Sequence, residues 1–168
     1  MTNPRFTDKH LSRSAFVANL LNRLADQISS QGEDMLRAAG LDFPSRAVSA
    51  VLLIGEQGAI SAADIALELA QPHQLATQRI DLLEQRGLIE RMVDPQDRRR
   101  KCLALTAKGA AQYRVLTSVL ESADQAFDQL FAELDCDLRE VARRSMHALD
   151  ERPLARRVDD SDESPTST

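Results

Sequence analysis

Leu88-Ile89-Glu90-Arg91-Met92-Val93, then Asp94-Pro95-Gln96-Asp97-Arg98-Arg99-Arg100, then Lys101-Cys102-Leu103-Ala104-Leu105 is the stretch that decides the fold. The first six residues are strand-like. The next seven contain Pro and two Asp, which favour turns, and close on three arginines. The last five alternate well enough for a second strand. Two such runs around a polar turn predict a β-hairpin with a basic tip.

Upstream, Ser61 stands three residues before Asp64, a capping-box spacing that predicts a helix start. That helix runs to about Ala70, with Pro72 two residues further on as a first-turn residue of the next helix. Helix, tight turn, helix is a helix-turn-helix pattern. At 100° per residue, Leu75, Ala76, Ile80, Leu82 and Leu83 fall on one side of helix 72–86. Gln74, Thr77, Gln78, Asp81 and Gln85 fall on the other. Arg79 projects toward the apolar side and is expected to snorkel or to pair with Asp64 or Glu68. Gly87 ends the helix. A helix-turn-helix followed by a hairpin is a winged helix.

The flanks are helical. Val17, Leu20, Leu21, Leu24 and Ile28 mark one face of a helix over 11–39, which Gly40 ends. Pro44 opens the next helix, and Gly55-Glu56-Gln57-Gly58 reads as a turn, with Ala59-Ile60 as a very short strand. From Thr106 a long helix carries Tyr113, Leu116, Leu120, Ala123, Phe127, Leu130 and Leu134, spaced 3, 4, 3, 4, 3, 4. That is a heptad seam, which outside a compact core needs a partner. Asp135 or Asp137 caps a last helix. The expected fold is mainly α with a small β-hairpin wing: a winged helix-turn-helix over 43–108, flanked by dimerisation helices over 11–42 and 109–150. Residues 1–10 read as a flexible tail and 151–168 as an acidic flexible tail.

Composition excludes other classes. The chain has 168 residues, 43% hydrophobic and 4% aromatic, without Trp. No apolar run approaches the ~18 residues of a membrane span, and no secretory leader is visible. Cys102 and Cys136 make neither a disulfide framework nor a CxxC site. They read as small apolar fillers in a reducing, cytoplasmic setting. The three histidines are scattered, and phosphate-loop, dinucleotide and hydrolase motifs are absent. No enzyme, cofactor or metal is expected. The net charge of −5 argues against nucleic acid only as an average. Residues 72–108 hold eight Lys/Arg against five Asp/Glu, a local +3.

Ser61 to Ala66, Leu83-Glu84-Gln85-Arg86-Gly87-Leu88-Ile89-Glu90-Arg91, the run Asp94 to Arg100, and Leu103-Ala104-Leu105-Thr106-Ala107-Lys108-Gly109 together resemble the MarR (multiple antibiotic resistance regulator) family. The similarity spans about residues 45–109. It implies a homodimeric transcriptional regulator of pseudo-palindromic double-stranded DNA, more often a repressor. Helix 72–86 would be the recognition helix in the major groove, and 94–101 the wing in the minor groove. Arg99 aligns with the family's wing arginine and Asp97 with the wing-supporting aspartate. The chain departs from the family where a Ser or Asp cap and an Arg are usual: it has Pro72 and Gln78. Arg79 and Leu82 also exchange the usual apolar and polar positions. The resemblance further implies a small aromatic effector between the dimer helices and the winged helix. No residue names one, although Arg23, Arg37 and Arg46 could face such a cleft.

The DNA-contact candidates are His73, Gln74, Thr77 and Gln78 on the helix and Arg98, Arg99, Arg100 and Lys101 on the wing. Glutamines can bond adenine N6 and N7, and Thr can touch a thymine methyl. His73 can bond a phosphate near the helix N-terminus. Wing cations displace counterions, and an Arg suits a narrow minor groove. Ser61 reads as an N-cap that could also reach phosphate. The alternative is a winged-helix protein–protein interaction module without specific DNA binding. That rival should present apolar residues on the outer face of helix 72–86.

Overall fold

In this computed structural model, residues 6–93 and 101–162 are described, so Asp97, Arg98, Arg99 and Arg100 lie outside the described residues. The elements in order are α1 (Phe6–Lys9), a 3-10 turn (Arg13–Phe16), α2 (Val17–Ala38), a second 3-10 turn (Ser45–Ala47), α3 (Val48–Gln57), α4 (Ala62–Glu68) and α5 (His73–Gln85). Then follow β1 (Ile89–Val93), β2 (Lys101–Leu105), α6 (Ala107–Leu134), α7 (Leu138–Glu151) and α8 (Leu154–Asp162). The two strands pair antiparallel, Ile89 opposite Leu105 and Val93 opposite Lys101. Ile60 adds a single bridge to Leu103, the very short strand expected at 59–60. The mainly helical fold with a small hairpin is therefore the one the sequence implies.

The chain divides into two units, 1–120 and 121–168. The first has one core. Val51, Ile54, Ile65, Ile80, Leu83, Leu88 and Leu116 are fully buried in it, with Phe43, Ile89 and Leu103 beside them. Aliphatic residues from α3, α4, α5, both strands and α6 thus meet in one cluster. Burying each such side chain is worth about 1.5–3 kcal/mol. In the second unit, Asp137 caps α7 by accepting from the N–H groups of Arg139 (2.8 Å) and Glu140 (3.3 Å). Asp135 is instead the left-handed residue that ends α6, φ +49°.

Several expectations change. The first long helix starts at Val17 rather than near 11, after a 3-10 turn. Pro44 precedes a 3-10 turn instead of opening an α-helix, and Pro72 is the N-cap of α5, one place earlier than expected. Gly55 lies inside α3, not in a turn. A Cβ there would stand within the ring of Tyr113, so the glycine admits an aromatic side chain from α6. That contact also changes the heptad seam. Leu116 is fully buried, and Tyr113 and Leu120 pack against the core of their own unit. The later seam positions, half-buried Ala123, Phe127 and Leu130 and exposed Leu134, are not part of that core. The terminal stretches expected to be flexible tails both contain helix: Phe6–Lys9 and Leu154–Asp162. Arg157 explains the latter. Its guanidinium donates to the carbonyl oxygens of Ala148 (2.6 Å), which also accepts from Arg152 N–H (3.1 Å), and of Arg152 (2.9 Å), tying α8 to the end of α7.

The helix-turn-helix turn is tight because α4 ends in a Schellman motif. Ala70 N–H donates to Leu67 (3.0 Å) and Gln71 N–H to Ala66 (2.9 Å). Its left-handed residue is Ala70, φ +47°, where a Cβ costs about 1–2 kcal/mol. Ala70→Gly removes that cost, partly offset by the greater entropy glycine loses on folding. The expected net gain is about 0.5–1 kcal/mol, roughly 1–4 °C in Tm. An unchanged or lower Tm in calorimetry contradicts the strained turn.

Candidate nucleic-acid interface

α5 is anchored on one side and open on the other. Ala76, Ile80 and Leu83 are buried, while His73, Gln74 and Gln78 are exposed and Thr77 is half-buried. Gln74 and Gln78 stand one helical turn apart and share a stripe. Thr77 Oγ1 donates to the carbonyl of His73 (2.9 Å) and lies 3.4 Å from its Nδ1. The hydroxyl is thus used within the helix. The four expected helix residues are therefore brought together on the N-terminal half of α5. Lys101 is exposed at the start of β2. Ser61 is occupied as a cap: its Oγ accepts from Asp64 N–H (3.2 Å) and donates to Asp64 Oδ2 (2.7 Å).

The start of α5 is chemically open. Pro72 offers no capping side chain, and the first turn has no acid. The positive end of the helix dipole therefore meets no countercharge from its own turn. Acids do occur at the other end, Asp81 and Glu84, and both are engaged. Arg91 on β1 forks onto Glu84, Nε to Oε1 at 2.8 Å and Nη2 to Oε2 at 2.7 Å, and reaches Asp81 at 3.5 Å. The hydrogen bond from Arg91 holds the Glu84 carboxyl below its ordinary pKa, and the same pairing raises Arg91. This ion pair crosses from α5 to the hairpin and fixes one against the other.

A second network ties the far end of α5 to its neighbours. Lys108 Nζ donates to Asp42 Oδ2 (2.8 Å) and to the Arg86 carbonyl (2.9 Å). Arg86 Nη1 donates to the Asp42 carbonyl (2.6 Å), and Asp42 N–H donates to Gln112 Oε1 (3.1 Å). Asp42 is held below its ordinary pKa, first by the hydrogen bond and charge of Lys108 and then by the charge of Arg86. These ties were not foreseen in the sequence. The one available signal was Glu84 and Arg91 facing each other across the Gly87 turn.

Arg79 meets neither Asp64 nor Glu68. Its Nη1 donates to Oε1 of Gln71, and its buried Nε has no partner. Cys102 is buried, as a small apolar filler should be, and Cys136 is half-buried. A cleft of about 270 Å³ opens beside Ser61, Asp64, Glu68 and Cys102; Arg23, Arg37 and Arg46 do not line it. Among the described residues, no group of three or more His, Cys, Asp or Glu is placed to hold a metal ion. No described helix is long and apolar enough to cross a membrane.

The Glu84–Arg91 pair makes a pH prediction. A carboxyl whose pKa is lower in the folded chain stabilises fully above its unfolded pKa, about 4.3, and loses that contribution as pH falls through the folded value. Glu84→Gln should cost about 0.5–1 kcal/mol near neutral pH, as a half-exposed pair does. The difference from wild type should shrink below about pH 4. A difference that stays constant from pH 7 to pH 3 in urea melts contradicts the pairing.

The chain is similar to known proteins. The MarR family model matches residues 40–100. The HTH-type transcriptional regulator PapX of Escherichia coli is 27% identical over 125 residues, 74% of each chain. Among solved structures, the transcriptional repressor CouR bound to a 23-mer DNA duplex superposes with a TM-score of 0.63 at 23% identity, over 86% of this chain and 98% of that one. CouR from Rhodococcus jostii RHA1 bound to p-coumaroyl-CoA gives 0.57 at 23%, over 81% and 90%. The Mycobacterium tuberculosis regulator MOSR in complex with DNA gives 0.59 at 20%, over 82% and 96%. At these identities the structures speak for the fold. The family model covers the helix-turn-helix and the first strand of the hairpin, and over that stretch the chain is similar to the MarR family.

Proposed function

We propose that this chain is a DNA-binding transcriptional regulator that grips pseudo-palindromic double-stranded DNA as a homodimer. The observation that carries the reading is the N-terminal half of α5: exposed, uncapped, and furnished with two amides and an imidazole. An interaction module would instead need an apolar outer face there. In the complex α5 enters the major groove. Gln74 and Gln78 present both a donor and an acceptor to base edges, as adenine N6 and N7 require. Thr77, its hydroxyl turned to the helix backbone, offers its methyl to thymine. His73 and the open helix end face the phosphate backbone.

The wing supplies the second contact. Arg99 enters the minor groove, with Arg98, Arg100 and Lys101 on the flanking phosphates and Asp97 supporting the hairpin. The alignment with the family's wing supports these assignments. The local +3 over residues 72–108 supplies the charge. Dimerisation uses the exposed apolar residues Leu20, Leu21, Leu24 and Ile28 of α2 and Val141, Met146 and Leu149 of α7. Two-fold symmetry then sets the two recognition helices about 34–36 Å apart, one turn of DNA. By analogy with its relatives the protein acts as a cytoplasmic repressor. The aromatic acyl-CoA bound to CouR supports a small aromatic effector, which would shift the dimer toward a spacing that no longer fits DNA.

A gel shift against the region upstream of the chain's own gene, at two salt concentrations, tests the proposal. Binding should weaken steeply with salt. Arg99→Ala and Lys101→Ala should each weaken binding and flatten the logarithmic salt slope by about 1. A wild-type protein that shows no salt-sensitive shift favours the interaction module.

A further inference from the structure

We infer that Arg79 is a positioning residue: by gripping Gln71 it sets the angle at which α5 leaves the helix-turn-helix turn, and so the place of Gln74 and Gln78. The inference rests on the DNA-binding reading of α5.

The helices just before and after α5 in the chain start on capping side chains, as α7 does, whereas α2 and α3 do not. Ser61 caps α4, Thr106 caps α6 by accepting from Gly109 N–H (3.0 Å), and Asp137 caps α7. No side chain caps α5. The two backbone bonds of the turn, Ala70 to Leu67 and Gln71 to Ala66, tie the turn to α4 and leave α5 to be aimed by other means. Core packing and the Arg91–Glu84 pair hold its later turns, and Arg79 holds its first. Side chains on a helix lean toward its N-terminus, and Arg79 sits six residues into α5, about 9 Å along the axis. A long side chain there reaches back to the turn. It ends on the side-chain carbonyl of Gln71, the residue just before Pro72.

The chemistry of this contact is poor as a source of stability. Arg79 Nε is buried with no acceptor, and its guanidinium meets a neutral amide rather than a carboxylate. Burying a charged donor without a partner is unfavourable, and an apolar side chain among Leu75, Ala76 and Leu83 would avoid it. What Arg79 provides that an apolar side chain does not is a directional tie across the turn. Bidentate base contacts tolerate only small displacements, so a helix free to tilt on its turn loses them first.

The test uses the full chain with Arg79→Met, Gln71→Leu and the double variant, a gel shift on the upstream duplex, and amide hydrogen exchange in residues 76–80. Arg79→Met should melt at or above the wild-type temperature, yet exchange about tenfold faster there and bind about tenfold more weakly with an unchanged salt slope. Gln71→Leu should lower the melting temperature, because it strands the guanidinium. Adding Arg79→Met should restore that temperature without restoring binding. Wild-type exchange rates in Arg79→Met overturn the inference. So does a salt slope that falls by about 1, which would make Arg79 a phosphate contact. A wild-type chain that shifts no duplex overturns the DNA reading instead, and the exchange comparison alone then decides whether Arg79 holds the turn.

Discussion

The carbonyl of Leu88 is the point on which the rest of the winged helix depends. Gly87, φ +66°, reverses the chain after α5, and Leu88 N–H closes that turn on the Leu83 carbonyl at 3.0 Å. Thr106 N–H then donates to the Leu88 carbonyl at 3.0 Å, and Thr106 Oγ1 to that of Gly87 at 2.7 Å. Gly109 comes so close that any Cβ would overlap the Leu88 oxygen. The end of α5, the base of the hairpin and the start of α6 are thus locked within one turn of chain. Thr106 caps α6 with the same hydroxyl that closes the junction. A side chain at 109 would push α6 off the hairpin, and with it Leu116 out of the core.

From that junction the electrostatics follow. The chain is acidic overall, yet the acids on α5 and at the α5–α6 corner each face a cation: Glu84 and Asp81 face Arg91, and Asp42 faces Lys108 and Arg86. Their charge is largely spent inside the protein. The half of α5 proposed to meet DNA carries no acid of its own. The negative excess belongs to residues 109–168, where seven Lys/Arg stand against thirteen Asp/Glu. Such a distribution keeps non-specific attraction to DNA weak and leaves specificity to shape and base contacts.

Much of this was legible in the sequence because its signals are local. Ser61 before Asp64, Gly40 and Gly87 after apolar periods, and the alternation of Lys101–Leu105 all act within a few residues. The helix start and the two glycine stops are used as read; Lys101–Leu105 is a strand, but Cys102 and Leu103 are both buried rather than alternating. The misses are of a different kind. Tyr113 belongs to a regular 3-4 spacing, which cannot say whether its partner is another chain or Gly55 of the same one. Arg79 pairs with an amide because the fold brings Gln71 to it, while composition suggested a carboxylate. Residues 154–162 look too polar to order, and the carbonyls to which Arg157 donates come within its reach only once α7 is in place. In the proposed interface, Gln74 and Gln78 were readable from helical angle. The ties at the other end of α5, Arg91 to Glu84 and Lys108 to Asp42, join residues 7 and 66 apart.

The central claim is that α5 reads base pairs with Gln74 and Gln78 from two symmetry-related copies. Selection of bound sequences from a random duplex library tests it most directly. Wild type should enrich a two-fold symmetric motif whose half-sites are about one helical turn, 10–10.5 base pairs, apart. Gln78→Ala should relax the preference at one symmetric pair of positions and leave the others. An unenriched pool, or the same motif selected by wild type and Gln78→Ala, would contradict the account.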